Sequence, residues 1–421
     1  MARPSLSSKT RRSEKALLVG IYAGKRDYHR QEMSLDELTR LAESAGATVA
    51  GRVLQELRHP QPATFIGSGA AESLGTKTRE NGFEVVIFDE DLSPTQNRNL
   101  EKIIGSKVLD RTGLILDIFA QRARTREGKL QVELAQLKYL LPRLAGQGAE
   151  FSQLAGGIGT RGPGETRLEM DRRKAKDRIA LVKRDLVHVR SHRELHRTRR
   201  DELPIATVSL VGYTNAGKST LMNRLTNASV LVEDKLFATL DPTVRRLKLP
   251  SGREILLSDT VGFVRKLPHQ LVEAFRATFE EVASSTLLLH VIDLSHPHVE
   301  EQMGVVDGVL KELELQYKPV LNVFNKADQV HGHLPAFLND EEIIVSAVTG
   351  VGIPLLLTAI ERKLTESHRL VSLRLPYKAG AELSLLYRTS RILSRENRED
   401  GIYVDAEVDD KRFNLFKPYR T

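Results

Sequence analysis

The 421-residue chain has no cysteine. Disulfides, thiolate metal centres and a cysteine nucleophile are therefore excluded, and a reducing compartment is the expected setting. No apolar run approaches the ~20 residues that a membrane-spanning helix requires. Met1 to Arg12 is basic and serine-rich, with no apolar stretch behind it. It reads as a loose tail rather than a secretory leader. Acidic excess is also missing: the net charge is +8.

That charge is unevenly placed. Residues 161–200 hold fourteen Lys/Arg against six Asp/Glu, an excess as large as that of the whole chain. Such a segment points to an anionic partner, nucleic acid first. The apolar share is 40% and the charged share 28%, enough apolar material to bury real cores.

The patterning predicts an α/β fold in several parts: a basic tail over 1–15, an N-terminal α/β domain over 16–124, a helical hairpin arm over 125–200, a central P-loop domain over 204–364, and a small α+β C-terminal domain over 365–421. In the first domain, Ala16 to Ile21, Thr48 to Leu57 and Glu84 to Phe88 read as strands. Ser34-Leu35-Asp36-Glu37 reads as a capping box opening a helix, and a second helix is entered at Ser93-Pro94. Thr64 to Gly69 reads as a tight glycine turn before a helix.

In the arm, Leu130, Leu134, Leu137, Leu141 and Leu144 recur at helical spacing, as do Ala175, Ile179, Val182, Leu186 and Val189. Between them lies a glycine-rich connector, Gly156 to Thr166. Two amphipathic helices joined this way suggest an antiparallel hairpin, whose arms of about 25 residues would reach on the order of 35 Å at 1.5 Å per residue. The G-x-G-x-x-G at Gly157 to Gly162 follows a helix, not a strand, so it is not a dinucleotide fingerprint. Arg161, Arg167, Arg172 and Arg173 could contact phosphates. A solvated helix face is the plainer alternative. Arg199 to Pro204 reads as a polar linker. In the C-terminal domain, Val371 to Leu375 and Gly401 to Val408 read as strands, with a helix over Gly380 to Glu396.

The chemistry concentrates after residue 204. The strand Ala206 to Val211 runs into Gly212-Tyr213-Thr214-Asn215-Ala216-Gly217-Lys218-Ser219-Thr220, a G-x-x-x-x-G-K-S loop followed by a helix. Such a loop wraps N–H groups around phosphates. Lys218 should reach the β- and γ-phosphates, and the Ser219 hydroxyl should bind Mg²⁺. Phe237-Ala238-Thr239-Leu240-Asp241 follows, where Thr239 can complete the Mg²⁺ shell. Asp259-Thr260-Val261-Gly262-Phe263 comes next. Asp259 suits the Mg²⁺ side, and the Gly262 N–H suits the γ-phosphate, which makes Lys218, Asp259 and Gly262 the candidate catalytic groups. Asn325-Lys326-Ala327-Asp328 ends a strand. The Asp328 carboxylate can accept from guanine N1–H and N2–H₂, a pair adenine lacks. Ser346-Ala347-Val348 ends another, with backbone N–H placed for guanine O6. The set predicts a GTPase taking GTP or GDP and Mg²⁺.

Together, Gly157 to Thr166, Phe237 to Asp241 and Asp259 to Phe263 resemble the HflX family of the Obg–HflX-like superfamily, over nearly the whole chain. One departure is Arg167-Leu168-Glu169-Met170, where that family is expected to carry a glutamine and a threonine. The resemblance implies a cytoplasmic, monomeric GTPase that binds the large ribosomal subunit. It would touch ribosomal RNA through the 145–200 arm and split or rescue stalled ribosomes under stress. A GTPase of ribosome assembly or tRNA modification is the alternative, and a protein-binding switch is a third. Phe263 stands where Ras-type enzymes carry a water-orienting glutamine. Asn215 stands where potassium-dependent GTPases use an asparagine ligand, which makes K⁺ a candidate cofactor. Alternatively, Asn215 only stabilises its loop.

Overall fold

The computed structural model describes residues 13–144, 167–201, 205–226, 236–266, 268, 271, 276–330, 341–366 and 368–421. The chain divides into two compact units, 1–184 with 268–274, and 185–267 with 275–421. The connector 156–166 and the tail 1–12, both singled out above, lie outside the described residues.

In the first unit, β1 (Lys15–Tyr22), β2 (Thr48–Glu56), β3 (Val85–Phe88) and β4 (Lys107–Asp110) form a parallel sheet in the order β2-β1-β3-β4. Its helices are α1 (Lys25–Ala45), α2 (Ser68–Asn81), α3 (Pro94–Ile104), α4 (Arg111–Arg122) and α5 (Arg126–Leu144). Parallel strands covered on both faces read as continuous apolar runs, and Ala16, Leu17, Leu18 and Val19 are all fully buried. Ser93 caps α3 in a true capping box with Gln96.

The motif at Ser34 proves different. α1 begins at Lys25, so Ser34 and Glu37 lie in mid-helix. Their polar groups serve a buried network instead. Ser34 Oγ donates to Asp89 Oδ2 at 2.7 Å, Gln31 Nε2 to the same oxygen at 2.8 Å, and Arg111 to Asp89 Oδ1 at 2.6 Å and to Glu37. A local capping signature cannot be told from tertiary hydrogen bonding in one sequence.

α5 carries its leucine face inward: Leu130 and Leu134 are buried. At its end, Asp110 accepts from Tyr139 Oη at 2.7 Å and Arg143 at 2.7 Å. The next helix, α6 (Arg167–Asp201), is 35 residues long, which at 1.5 Å per residue is about 50 Å, longer than expected. It takes in the first half of the expected linker, through Asp201. Val182 and Leu186 are buried on its apolar face, and Arg178 makes a bidentate pair with Glu133 of α5 at 2.5 and 2.9 Å.

In the second unit, β5 (Thr207–Val211), β6 (Thr243–Lys248), β7 (Glu254–Asp259), β8 (Leu287–Asp293), β9 (Val320–Asn325) and β10 (Glu342–Ile344) form a sheet in the order β10-β9-β8-β5-β7-β6. β6 is antiparallel to β7 and the other pairs are parallel. α7 (Lys218–Thr226), α8 (Arg276–Ser284), α9 (Val299–Glu312) and α10 (Ile353–Glu366) accompany it. In open α/β sheets ligands bind beyond the carboxyl ends of the strands. The candidate motifs follow β5, β7, β9 and β10 there.

The last residues form the antiparallel sheet β11 (His368–Leu375), β13 (Gly401–Asp409), β12 (Arg391–Arg398), with α11 (Gly380–Thr389) and α12 (Asp410–Phe416). The helix expected over 380–396 therefore stops at Thr389. Residues 391–398 pair with β13, and Ser394 Oγ donates to Asp405 at 2.6 Å. Cross-strand partners decide this segment rather than its own helix propensity. Arg253, in the β6–β7 turn, pairs with Glu407 of β13 at 3.7 Å.

Candidate functional site

The loop between β5 and α7 needs its glycines for space. A Cβ on Gly212 (φ +149°) would sit 2.2 Å from the Val291 carbonyl oxygen. One on Gly217 (φ +92°) would sit 2.3 Å from Asn325 Nδ2. Asn215 takes a left-handed conformation, φ 62°, which Asn tolerates better than most residues. The loop thus curls tightly ahead of α7, with Lys218 at its first position.

One cavity is lined by Thr214, Asn215, Gly217, Lys218, Ser219 and Thr220 from the loop, by Phe237, Ala238 and Thr239, and by Thr260 and Gly262. Three separate sequence motifs therefore converge. Lys218 is buried, and its Nζ donates to the carbonyls of Gly212 at 3.0 Å and Tyr213 at 2.8 Å. Burial lowers its pKa to about 8, with the Asp259 charge opposing.

Beside it stands an oxygen cluster. Ser219 Oγ donates to Asp259 Oδ2 at 2.6 Å, Thr239 Oγ1 to the same oxygen at 3.0 Å, and the two hydroxyls are 2.7 Å apart. Among the described residues, Asp259 Oδ1 is buried with no hydrogen-bond partner. Burial raises the Asp259 pKa, while Lys218 and the two hydroxyls oppose the rise. A buried carboxylate with two hydroxyls at its side is a hard, all-oxygen donor set, which fits Mg²⁺.

Gly262 packs directly on the loop: a Cβ there would lie 2.7 Å from Thr214 Cα and 3.0 Å from Lys218 Nζ. Leu240, Val261 and Phe263 turn into the core instead. The Phe263 ring is 1% exposed and stacks on Phe279 at 5.8 Å.

The base-side motifs form a second group. Asn325 Nδ2 donates to the Ala216 carbonyl at 2.9 Å, and its Oδ1 accepts the Ala347 N–H at 3.0 Å. Of the N–H groups expected to meet guanine O6, those of Ser346 and Ala347 thus already have protein acceptors, the Val351 carbonyl and Asn325 Oδ1. Ser346 Oγ donates to Asp328 Oδ1 at 2.5 Å, and Lys326 pairs with Asp293 at 2.7 Å. Val348 is exposed. Two braces were not foreseen from sequence. Arg224 of α7 donates to the carbonyls of Ala347, at 2.9 Å, and Val348. Tyr213 Oη accepts the Arg265 N–H at 3.0 Å. Neither has a spacing signal, since both depend on tertiary approach.

Comparison with known proteins agrees with this geometry. Residues 32–120 match the family described as GTP-binding GTPase N-terminal, 122–200 the GTP-binding GTPase Middle Region, and 207–326 the 50S ribosome-binding GTPase family. The chain is similar to GTPase HflX of Caldanaerobacter subterraneus subsp. tengcongensis, 49% identical over 94% of this chain and 92% of that one. It is similar to GTPase HflX of Lacrimispora saccharolytica, at 46% over 95% of each. It is also similar to GTPase HflX of Escherichia coli, at 46% over 92% of each. With these relatives 46–49% identical to it over at least 92% of its length, the chain belongs to the HflX family of GTP-binding, GTP-hydrolysing proteins.

Proposed function

We propose that this chain binds the large ribosomal subunit in its GTP-bound form and splits or rescues stalled ribosomes, acting as a cytoplasmic monomer. The observation that carries the partner is α6. Arg172, Arg173, Lys174, Lys176, Lys183 and Arg184 are all exposed along it, a basic stripe suited to RNA phosphates. The family description of residues 207–326 supports the same partner. Among the described residues no helix is long and apolar enough to cross a membrane.

At the nucleotide, the loop N–H groups and Lys218 hold the phosphates, and Asp328 selects guanine. Ser219 and Thr239 would hold Mg²⁺, with Asp259 beside them. When bound, the ion neutralises charge on the phosphate oxygens. Lys218 holds positive charge where negative charge develops, and the Gly262 main chain meets the γ-phosphate. The Phe263 ring is stacked in the core and has no hydrogen-bonding group, so it cannot orient the attacking water. The ribosome, by ordering the loops around Thr239 and Gly262, takes that role. K⁺ at Asn215 would add charge near the phosphates.

Co-sedimentation with purified ribosomal subunits tests the partner. The protein should pellet with large subunits in a non-hydrolysable GTP analogue and far less in GDP. Preference for small subunits, or for tRNA, would favour the assembly or tRNA-modification reading.

A further inference from the structure

Phe263 leaves a question about this site: what sets the main chain that must do the work its side chain cannot. The segment Gly262 to Arg265 offers no side chain to the phosphates. Phe263 is stacked in the core, Val264 is 1% exposed, and the Arg265 guanidinium pairs with Glu301 of α9. Only the backbone remains to orient water or a phosphate oxygen, so its register against the phosphate loop matters to within fractions of an ångström.

Three hydrogen bonds set that register. The Thr214 N–H donates to the Phe263 carbonyl at 2.7 Å, and the Phe263 N–H donates to the Gly212 carbonyl at 3.1 Å. These two form a short parallel bridge between loop and segment. The third is the Arg265 N–H to Tyr213 Oη, at 3.0 Å. It is the last of these ties before Lys266, where the backbone turns left-handed at φ 51°. The first two are backbone bonds that no side chain supplies. The third depends on one phenol oxygen, from a tyrosine in the phosphate loop that is 5% exposed. The Tyr213 carbonyl meanwhile accepts from Lys218 Nζ. One residue therefore touches both the phosphate-binding lysine and the segment that carries Gly262.

We infer that Tyr213 is a positioning residue for GTP hydrolysis, its phenol oxygen fixing Gly262 to Arg265 against the phosphate loop. The inference rests on the reading of this site as the place where GTP is cleaved. It assigns no contact between Tyr213 and the nucleotide. It separates binding from chemistry, because the loop glycines, Lys218 and Asp328 keep their places without the hydroxyl.

Tyr213→Phe removes only that oxygen and keeps the buried ring. A neutral hydrogen bond is worth roughly 1 kcal/mol, and 1.4 kcal/mol is tenfold in rate, so single-turnover GTP hydrolysis should fall about three- to tenfold. GDP and GTP-analogue affinity should stay at wild-type values, and the thermal midpoint should fall by no more than a few degrees. Glu301→Gln, which removes the charge opposite the Arg265 guanidinium but leaves the phenol bond, should hydrolyse GTP at the wild-type rate. An unchanged rate in Tyr213→Phe would overturn the inference, as would a loss of affinity parallel to the loss of rate, or an equal loss in Glu301→Gln. Lys218→Ala is measured beside them. If it too hydrolyses normally, the site reading fails; if it is inactive while Tyr213→Phe is normal, the positioning role alone fails.

Discussion

The Ser219 hydroxyl donates to Asp259 Oδ2 across 2.6 Å, tying the start of α7 to the end of β7. The other Asp259 oxygen is buried and has no hydrogen-bond partner among the described residues. Buried acceptors left unsatisfied cost free energy, and a cation at this corner would satisfy this one. Ser219→Ala should therefore weaken the Mg²⁺ dependence of GTP binding while leaving GDP binding in EDTA nearly unchanged. A Mg²⁺ titration followed by nucleotide fluorescence reads both; equal Mg²⁺ midpoints in mutant and wild type would remove Ser219 from the metal shell.

Lys218→Ala should lower single-turnover hydrolysis by orders of magnitude, because it withdraws charge from the developing phosphoryl charge. Nζ is held by two loop carbonyls, at 3.0 and 2.8 Å, so its position is set by the fold. Hydrolysis at the wild-type rate would contradict the assignment.

Asp328→Asn should move preference from guanosine to xanthosine nucleotides, since an acceptor oxygen becomes a donor amide. The Ser346 hydroxyl at 2.5 Å fixes the side chain either way. Competition of GTP and xanthosine triphosphate for the mutant is the measurement, and retained GTP preference counts against the role.

Much of this site was legible beforehand because phosphate and guanine chemistry confine residue types to fixed places beside strand ends. The structure gathers residues of the loop 214–220, Thr239 and Gly262 around one cavity, with Asp259 bonded to Ser219 and Thr239 and Asp328 bonded to Ser346. The Tyr213 phenol and the Arg224 brace were not legible, because each bond joins side chain to main chain across the fold. The same holds for Ser34, whose capping signature conceals a partner 55 positions away in Asp89. Residues 391–396 read as helix until β13 supplies a strand to pair with.

His290 of β8 is buried, and burial with the nearby Lys218 charge lowers its pKa from 6.5 to about 4, against a side-chain hydrogen bond with Asn322. The folded value is below the unfolded one. Its stabilising effect is thus complete above pH 6.5 and is lost as pH falls toward 4, the loss reaching about 2 kcal/mol at pH 5 by linkage. Chemical denaturation at pH 7.5 and 5 should show a smaller acid loss in His290→Asn than in wild type. An identical acid loss would exclude His290 as its source.

Replacing Arg172, Arg173 and Lys174 by Ala should weaken ribosome binding and flatten its salt dependence, by up to about one unit of log–log slope for each phosphate no longer neutralised. All three side chains are exposed on α6. If the salt slope stays the same, they are a solvated helix face.

The most direct measurement is GTP turnover, in sodium and in potassium, with and without purified large subunits. With Phe263 buried against Phe279, the protein alone in sodium should turn over slowly, and large subunits should raise the rate many-fold. A further rise in potassium would assign the cation role to Asn215, and stimulation by subunits alone would leave the partner and remove the cation. Fast turnover in sodium without any partner would contradict the account.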